Sequence, residues 1–247
     1  FIQKAEHLPG MRRAFKFAKE HRAIGLGVLG YHSLFQSKLI EFESLEAKQI
    51  NHEIFSTIKE RSEAASKWLH DAKGYTSIRE GYANTTLMAI APTKSSSFIH
   101  GAVSMGIEPI KSNYFIKDLA KSKTIYKNPF LEEELEKYGL NTDKTWKSIL
   151  KKDGSVQHLD FPTKAVFKSF VEISPKELVL QAAQRQKYID QSQSLNLMID
   201  PSVSAKDINK LYMYAWEEGV KTLYYQFSKS SAQDFARNIL ECSSCEG

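Results

Sequence analysis

The sequence predicts an α/β fold in which helices cover a sheet of parallel strands. Three short apolar segments have strand character, namely residues 85–91, 192–199 and 220–227, and helical patterns with capping signals lie between them. Strands that alternate with helices usually pair in parallel. Hydrophobic residues make up 42% of the 247-residue chain, which is enough to build a substantial core.

The first half of the chain contains two predicted helices, one strand and the start of a third helix. An apolar run of small residues at 24–35 predicts a tightly packed helix. Over residues 42–72, apolar residues recur at helical spacing and Gly74 follows as a stop signal, so we expect a long amphipathic helix there. The strand at residues 85–91 ends at Pro92, and the polar segment TKSSS that follows should begin a helix.

Further helices are expected in the second half because capping signals precede them. Asn128 stands before a proline, and Ser174 and Ser204 are each followed three residues later by an acidic residue. A shorter helix is expected at residues 143–152. Since no repeat or linker divides the body, we predict one domain over residues 1–227 and a flexible tail over residues 228–247.

The charge balance and the cysteines limit the possible partners and compartments. The excess of 34 Lys and Arg over 29 Asp and Glu gives a net charge of +5, which suits an anionic small molecule and is too small for a polymeric nucleic acid. The sequence has no apolar stretch long enough to cross a membrane and no signal peptide. The two cysteines, Cys242 and Cys245, lie close to the end, so we exclude a disulfide framework and expect a reducing cytoplasm.

Three glycines near the start match a known binding pattern. Gly25, Gly27 and Gly30 satisfy G-x-G-x-x-G, which binds dinucleotides when it directly follows a buried strand. The segment before these glycines is basic and has helical spacing instead. We therefore interpret the glycines as positions where small residues let helices pack closely.

The segment PTKSSS is a candidate phosphate-binding turn. Its proline ends a strand, its hydroxyl residues can cap a helix, and successive exposed amides and hydroxyls can surround phosphate oxygens. Lys94 adds a positive charge. The alternative is a capped loop that binds nothing. The candidate residues are Pro92, Thr93, Lys94, Ser95, Ser96 and Ser97.

Two residue pairs near the C-terminus are candidates for redox chemistry. Tyr224 and Tyr225 are adjacent, and two phenols in contact can pass a radical, although doubled tyrosines in a strand are ordinarily packing residues. Cys242 and Cys245 form a C-x-x-C pair, which can exchange disulfides, supply half of a zinc site or be inert. Their position on a polar tail favours disulfide exchange. The sequence contains no hydrolase motif.

Several segments, taken in order, resemble a known family. They are ANTTLMAIAPTKSSS followed by GIEP, then AQRQKYIDQSQSLN, then AWEEGVKTLYYQ, then the terminal dithiol. In this order they resemble the large (alpha, catalytic) subunit of class I ribonucleotide reductases, and the resemblance covers nearly the whole chain. It implies that the chain forms the C-terminal half of a ten-stranded α/β barrel, with flanking helices and a flexible redox-active tail.

The resemblance also implies a role for each candidate residue. Residues 92–97 would hold the substrate diphosphate, and Tyr224 and Tyr225 would carry a radical from the small subunit towards the active site. Cys242 and Cys245 would re-reduce the active-site disulfide after each turnover and would be recharged by thioredoxin or glutaredoxin. The implied activity is the reduction of ribonucleoside diphosphates to deoxyribonucleotides for DNA replication, in the cytoplasm or, for a phage gene, in the host cytoplasm.

One departure from the family implies missing partners. The family's reaction needs a cysteine that forms a thiyl radical and two more that supply reducing equivalents, whereas this chain has only the tail pair. We therefore expect a separate N-terminal fragment, from a split gene, a cleaved product or an intein-interrupted product, which fits a chain that begins at Phe1. A radical-generating, metal-containing small subunit would be the second partner. We expect no cofactor or metal on this chain, and ATP and dNTP effectors would bind outside it.

Two alternative functions stay open at this stage. The first is a non-catalytic remnant or assembly module that keeps the same fold. The second is an independent thiol-disulfide oxidoreductase that uses Cys242 and Cys245. The second has less support, because thioredoxin-like enzymes place their C-x-x-C at a helix start after a strand.

Overall fold

The computed structural model describes residues 1–119 and 122–228, with side chains outside residues 116–124. The helices are α1 Ile2–Ala5, α2 Arg12–His21, α3 Tyr31–Ser37, α4 Leu45–Lys73, α5 Lys94–Ile99, α6 Pro129–Lys137, α7 Asp143–Lys151, α8 Pro175–Gln186 and α9 Ala205–Glu217. A 3-10 helix spans Lys164–Phe167. The strands are β1 Tyr114–Leu119, β2 Ser122–Lys127, β3 Leu197–Met198 and β4 Gln226–Phe227. None of the helices in these ranges is long and apolar enough to span a membrane.

Four extended segments lie side by side and form a parallel sheet. Parallel pairs join Leu26 to Met88, Ile90 to Gln193, and β3 to β4. The order across the sheet is therefore residues 24–27, 86–90, 191–199 and 223–227. All three segments that the sequence predicts as strands take part in this sheet, so the prediction of a parallel α/β layer is confirmed.

A carboxylate fixes the second segment of the sheet in place. Asp190 accepts hydrogen bonds from the Leu87 amide at 2.7 Å and from the Met88 amide at 2.9 Å, one to each oxygen. Such charge-assisted bonds are stronger than those between neutral groups. The turn after α8 therefore helps to set the register of residues 86–90.

Helices α4 and α8 pack on each other and contribute to the principal core. Helix α4 begins at Ser44, whose hydroxyl accepts a hydrogen bond from the Ala47 amide, and ends before Gly74, which has a left-handed φ of 66°. Phe55 on this helix is fully buried in the core, where a phenylalanine side chain contributes about 2 kcal/mol or more. The prediction of a long helix at residues 42–72 is confirmed.

The prediction of a helix over residues 24–35 is wrong for the first half of this range. Residues 24–27 are extended in the sheet, and α3 begins at Tyr31. A Cβ atom at Gly27 would lie 2.4 Å from the Ala89 carbonyl oxygen, and one at Gly25 would lie 2.9 Å from the Ala89 Cβ. The glycines therefore let two strands approach each other, and our interpretation of them as helix-packing positions was wrong.

An antiparallel hairpin of β1 and β2 was not predicted from the sequence. Tyr114 pairs with Lys127 at its base. Beside it, α6 and α7 enclose a second core around Leu131, Leu135, Trp146 and Ile149, all buried. The Tyr114 ring contacts the Trp146 ring at a centroid distance of 5.4 Å, which joins the hairpin to this second core.

Most of the predicted helix starts are confirmed by side-chain caps. Asn128 accepts a hydrogen bond from the Phe130 amide, and Ser204 accepts one from the Asp207 amide. Ser174 makes no capping bond through its side chain, and neither does Thr93 before α5. The Ser174 backbone amide instead donates to the Glu43 carboxylate at 2.9 Å, so a distant residue fixes the approach to α8.

A polar network lies inside the principal core. Arg185 on α8 is fully buried and donates from Nε to Gln193 Oε1 at 2.6 Å and from Nη1 to Asn51 Oδ1 at 3.2 Å. Burial lowers the pKa of Arg185 to about 10, so the group keeps its charge at neutral pH. These bonds connect α8 to α4 and to the third segment of the sheet.

Candidate functional site

The segment PTKSSS follows the carboxyl end of the second sheet segment, as predicted. Ligands of open parallel sheets bind beyond the carboxyl ends of the strands. Thr93 has a φ of 49°, a left-handed value that is strained for a β-branched residue. Its Oγ1 accepts a hydrogen bond from the Gly106 amide at 2.7 Å. The turn is therefore held in an unusual conformation by a neighbouring loop.

The candidate turn residues differ in their exposure. Lys94, Ser95 and Ser96 are exposed, and their amides belong to the first turn of α5, where no intrahelical acceptor exists. Ser97 is buried, and its hydroxyl donates to the Lys94 carbonyl at 3.4 Å. Lys94, Ser95 and Ser96 are therefore accessible to an anionic ligand, whereas Ser97 is packed inside the protein.

The two candidate tyrosines are in direct contact. The ring centroids of Tyr224 and Tyr225 are 4.1 Å apart at an interplanar angle of 51°, and each residue is 49% exposed. Hydrogen bonding with the Tyr225 phenol raises the pKa of Tyr224. The pair lies on the last sheet segment, where the Tyr224 amide donates to the Leu195 carbonyl at 2.9 Å.

The turn and the tyrosine pair come together through Lys94. Its Nζ lies 5.3 Å from the centroid of the Tyr225 ring, which is within the range of a cation–π contact. A second connection runs through Asn196, which accepts a hydrogen bond from the Tyr225 amide at 2.9 Å and donates to Glu108. Two motifs that are far apart in the sequence therefore lie in contact and form one candidate site.

Glu108, Lys111 and Asn196 belong to this site but were not among the residues selected from the sequence. Glu108 is buried, and this burial raises its pKa against the opposing effects of the Asn196 hydrogen bond and of Lys111 and Lys94. Burial also lowers the pKa of Lys111, whose Nζ lies 3.8 Å from the Phe227 ring centroid. Glu108 and Asn196 stand in the segments GIEP and AQRQKYIDQSQSLN, to which the family resemblance assigned no role.

A cavity of 470 Å³ opens beside the turn. Its lining includes Ser97, Glu108 and Lys111, together with Phe115 and Tyr126 of the hairpin. Its size is typical of a site for a small ligand. Among the described residues, Tyr224 and Tyr225 do not line this cavity. The turn contacts this tyrosine pair through the Lys94 side chain instead.

The remaining predicted residues, Cys242 and Cys245, lie outside the described residues, as does the predicted tail at residues 228–247 except for its first residue. Within residues 1–119 and 122–228, no three His, Cys, Asp or Glu side chains are arranged to hold a metal ion. The described site is therefore composed of a hydroxyl-rich turn, two lysines, a buried carboxyl group and a pair of phenols.

A parallel sheet with the candidate turn at the carboxyl end of one of its segments places the chain in the class of α/β proteins. Comparison with known families makes the assignment specific. The family model "Ribonucleotide reductase, barrel domain" matches residues 7–78 and 75–226. The chain therefore belongs to the ribonucleotide reductase barrel-domain family, and the expected barrel fold is confirmed.

Individual relatives agree with this assignment. The chain is 38% identical to the ribonucleoside-diphosphate reductase large subunit of Invertebrate iridescent virus 6, over 94% of this chain and 25% of the viral protein. It is 39% identical to the corresponding subunit of Invertebrate iridescent virus 3, over 88% of this chain and 36% of that protein. The chain thus spans about a quarter to a third of these relatives.

A solved structure gives the same result. The class Id ribonucleotide reductase alpha subunit of Actinobacillus ureae matches with a TM-score of 0.84 and 50% sequence identity. The match covers 93% of this chain and 43% of the bacterial subunit. The matched region of the bacterial subunit is therefore less than half of its length.

Proposed function

We propose that this chain supplies the C-terminal half of the catalytic barrel of a ribonucleoside-diphosphate reductase. In this proposal residues 92–97 bind the substrate diphosphate, Tyr224 and Tyr225 transfer a radical, and Cys242 and Cys245 return reducing equivalents. The observation that carries the proposal is the contact between Lys94 and Tyr225 at 5.3 Å. It supports a single active site that contains both the turn and the phenols.

Diphosphate binding is supported by the chemistry of the turn. Lys94, Ser95 and Ser96 are exposed residues, and their backbone amides and the hydroxyls of the two serines are donors for phosphate oxygens. The Lys94 ammonium adds a charge that phosphate binds strongly. The neighbouring cavity of 470 Å³ has room for the nucleoside part of a substrate.

Radical transfer is supported by the geometry of the phenols. The centroid distance of 4.1 Å between Tyr224 and Tyr225 puts the rings in contact, so an electron and a proton can pass between them over a short path. Both rings are about half exposed, which is consistent with access by a radical-bearing small subunit.

A partner that completes the barrel is supported by the open edge of the sheet. The Ile24 and Leu26 amides donate to the second segment, so the Gly25 and Gly27 amides point to the other side, where the described part of the chain offers no acceptor. Ile24 and Leu26 are also 43% and 44% exposed. An unpaired apolar strand edge favours pairing with another strand, which an N-terminal fragment with the thiyl-forming cysteine would supply.

Reconstitution tests the proposal. The 247-residue chain would be combined with the complementary N-terminal part of the Actinobacillus ureae alpha subunit and a radical-bearing small subunit, and the reduction of a ribonucleoside diphosphate would be measured. We expect turnover, and we expect Tyr224→Phe or Tyr225→Phe to abolish it without weakening association. Tyr138→Phe is the control, because Tyr138 is 45% exposed but lies on the α6 side of the molecule.

The outcomes separate the alternatives. Association without turnover by the unchanged chain would favour the assembly module. Turnover that survives both tyrosine substitutions would exclude the relay. Reduction of protein disulfides by the 247-residue chain alone, without the other two components, would favour an independent oxidoreductase.

A further inference from the structure

The backbone of Lys94 is part of the turn, and its side chain contacts the tyrosine pair. Its Nζ lies 5.3 Å from the centroid of the Tyr225 ring. In the described part of the chain, Lys94 forms no hydrogen bond or ion pair through this ammonium. The ring is therefore its main contact, supplemented by the longer-range field of Glu108.

The contact with the ring is weaker than the one that a phosphate would offer. An exposed ammonium over a phenol ring is held mainly by the ring quadrupole, whereas a phosphate oxygen offers a charge-assisted hydrogen bond. Glu108 is not a strong competitor, because its carboxyl group is buried and is held by Asn196. A diphosphate at the turn would therefore draw the ammonium away from Tyr225.

The geometry points to Lys94 as a positioning residue that makes oxidation of Tyr225 depend on occupancy of the turn by a diphosphate. This inference rests on the proposed function and adds to it a means of regulation. In the empty site the ammonium over the ring opposes removal of an electron from Tyr225. In the occupied site the ammonium binds the diphosphate, and this opposition ends.

The step that Lys94 controls is the transfer between the two phenols. A Tyr224 phenoxyl radical takes one electron and one proton from the Tyr225 phenol, which gives a Tyr224 phenol and a Tyr225 phenoxyl radical. The O–H bond of Tyr225 breaks and that of Tyr224 forms. The only oxidant is the radical that the small subunit supplies in the proposed function.

The chain contains a matched contact that should not respond. Lys176 on α8 lies over the Tyr214 ring with its Nζ 4.8 Å from the centroid, and Tyr214 belongs to α9, away from the turn. The two pairs have similar distances between Nζ and the ring centroid, and Lys176 is not part of the candidate diphosphate site.

The first experiment measures the contact itself. Tyr225 would be replaced by 3-fluorotyrosine in the 247-residue chain, and its fluorine NMR signal would be followed while inorganic pyrophosphate is added and its binding is measured by calorimetry. We expect the signal to shift in proportion to binding. In Lys94→Met we expect the signal of the free protein to lie near the pyrophosphate-bound position of the unchanged chain and not to move on addition. A fluorotyrosine at position 214 should not respond to pyrophosphate, with or without the Lys94→Met substitution.

The second experiment uses the reconstituted enzyme with 3-aminotyrosine at position 225, which traps a radical there for electron paramagnetic resonance. With Lys94 present, the trapped radical should form only when a ribonucleoside diphosphate is bound. In Lys94→Met its yield without substrate should rise several-fold, and Lys94→Arg should restore substrate dependence, because arginine keeps the charge and stacks on aromatic rings.

The results distinguish this inference from the proposed function. If pyrophosphate binds while the Tyr225 signal stays unchanged, or if Lys94→Met leaves the radical yield dependent on substrate, the inference is wrong and the diphosphate assignment stands. If pyrophosphate does not bind at all, the diphosphate assignment is wrong and this inference falls with it.

Discussion

Thr93 accepts a hydrogen bond from the Gly106 amide at 2.7 Å, and both residues have left-handed backbone conformations, with φ of 49° and 50°. This bond joins the candidate diphosphate turn to the loop that carries Glu108. A strained residue such as Thr93 persists where the surrounding structure holds it, and such residues are frequent at functional sites. The pair therefore fixes the relative position of two parts of the proposed active site.

Gly106→Ala should disturb this position. An added Cβ would lie 2.8 Å from the Ala91 carbonyl oxygen, in addition to the strain of a positive φ. We expect a loss of about 1–3 kcal/mol in the free energy of unfolding and weaker pyrophosphate binding, measured by urea unfolding and by calorimetry.

Gly81→Ala is the control for this substitution. Gly81 also has a positive φ, of 74°, but a Cβ there would meet nothing within 4 Å. We expect a similar or smaller loss of stability and unchanged pyrophosphate binding. If both variants lost binding equally, the contact between the turn and Gly106 would have no specific role.

Folding stability should depend on pH through His32. Burial lowers the pKa of His32 from 6.5 to about 3, and its Nδ1 accepts a hydrogen bond from the Ile110 amide at 3.0 Å. Since the pKa of His32 is lower in the folded state than in the unfolded state, the stability contributed by the neutral, buried imidazole is fully present above about pH 6.5. It is lost as the pH falls from there towards 3. The loss at pH 5 should be about 2 kcal/mol.

His32→Asn should remove this dependence, because an amide oxygen can accept the same hydrogen bond without titrating in this range. Urea midpoints measured between pH 7 and pH 4.5 would show it. His7→Asn is the control, since His7 is exposed. An unchanged pH slope in His32→Asn would contradict the prediction.

The buried network around Arg185 should be important for stability. Arg185→Met leaves the acceptor oxygens of Gln193 and Asn51 without their donor, and we expect a loss of about 3 kcal/mol. The matched variant is Arg79→Met, which removes a partly exposed pair with Glu63 at 2.9 Å and should cost less than about 1 kcal/mol. Equal losses in chemical denaturation would refute the prediction.

The tail cysteines should determine which reductant the reconstituted enzyme can use. In the variant with both Cys242→Ser and Cys245→Ser, turnover driven by dithiothreitol should continue, because a small thiol reaches the active site directly. Turnover driven by thioredoxin or glutaredoxin should be lost. Full thioredoxin-dependent turnover in this variant would exclude the shuttle role.

The sequence by itself determined the helices with local start and stop signals, because capping is a contact between near neighbours. Helix α4 between Ser44 and Gly74 is the best example. The segment order that carries the family resemblance also belongs to the sequence, and it selected the turn and the tyrosine pair as candidate sites.

Only the tertiary structure decided the features that depend on distant contacts. The segment at residues 24–27 is a strand and not a helix because Ala89 lies against Gly27, and no local pattern records that approach. In the same way, Lys94 and Tyr225 are 131 positions apart in the sequence, and their contact exists only because the parallel sheet brings the carboxyl ends of its segments to one edge.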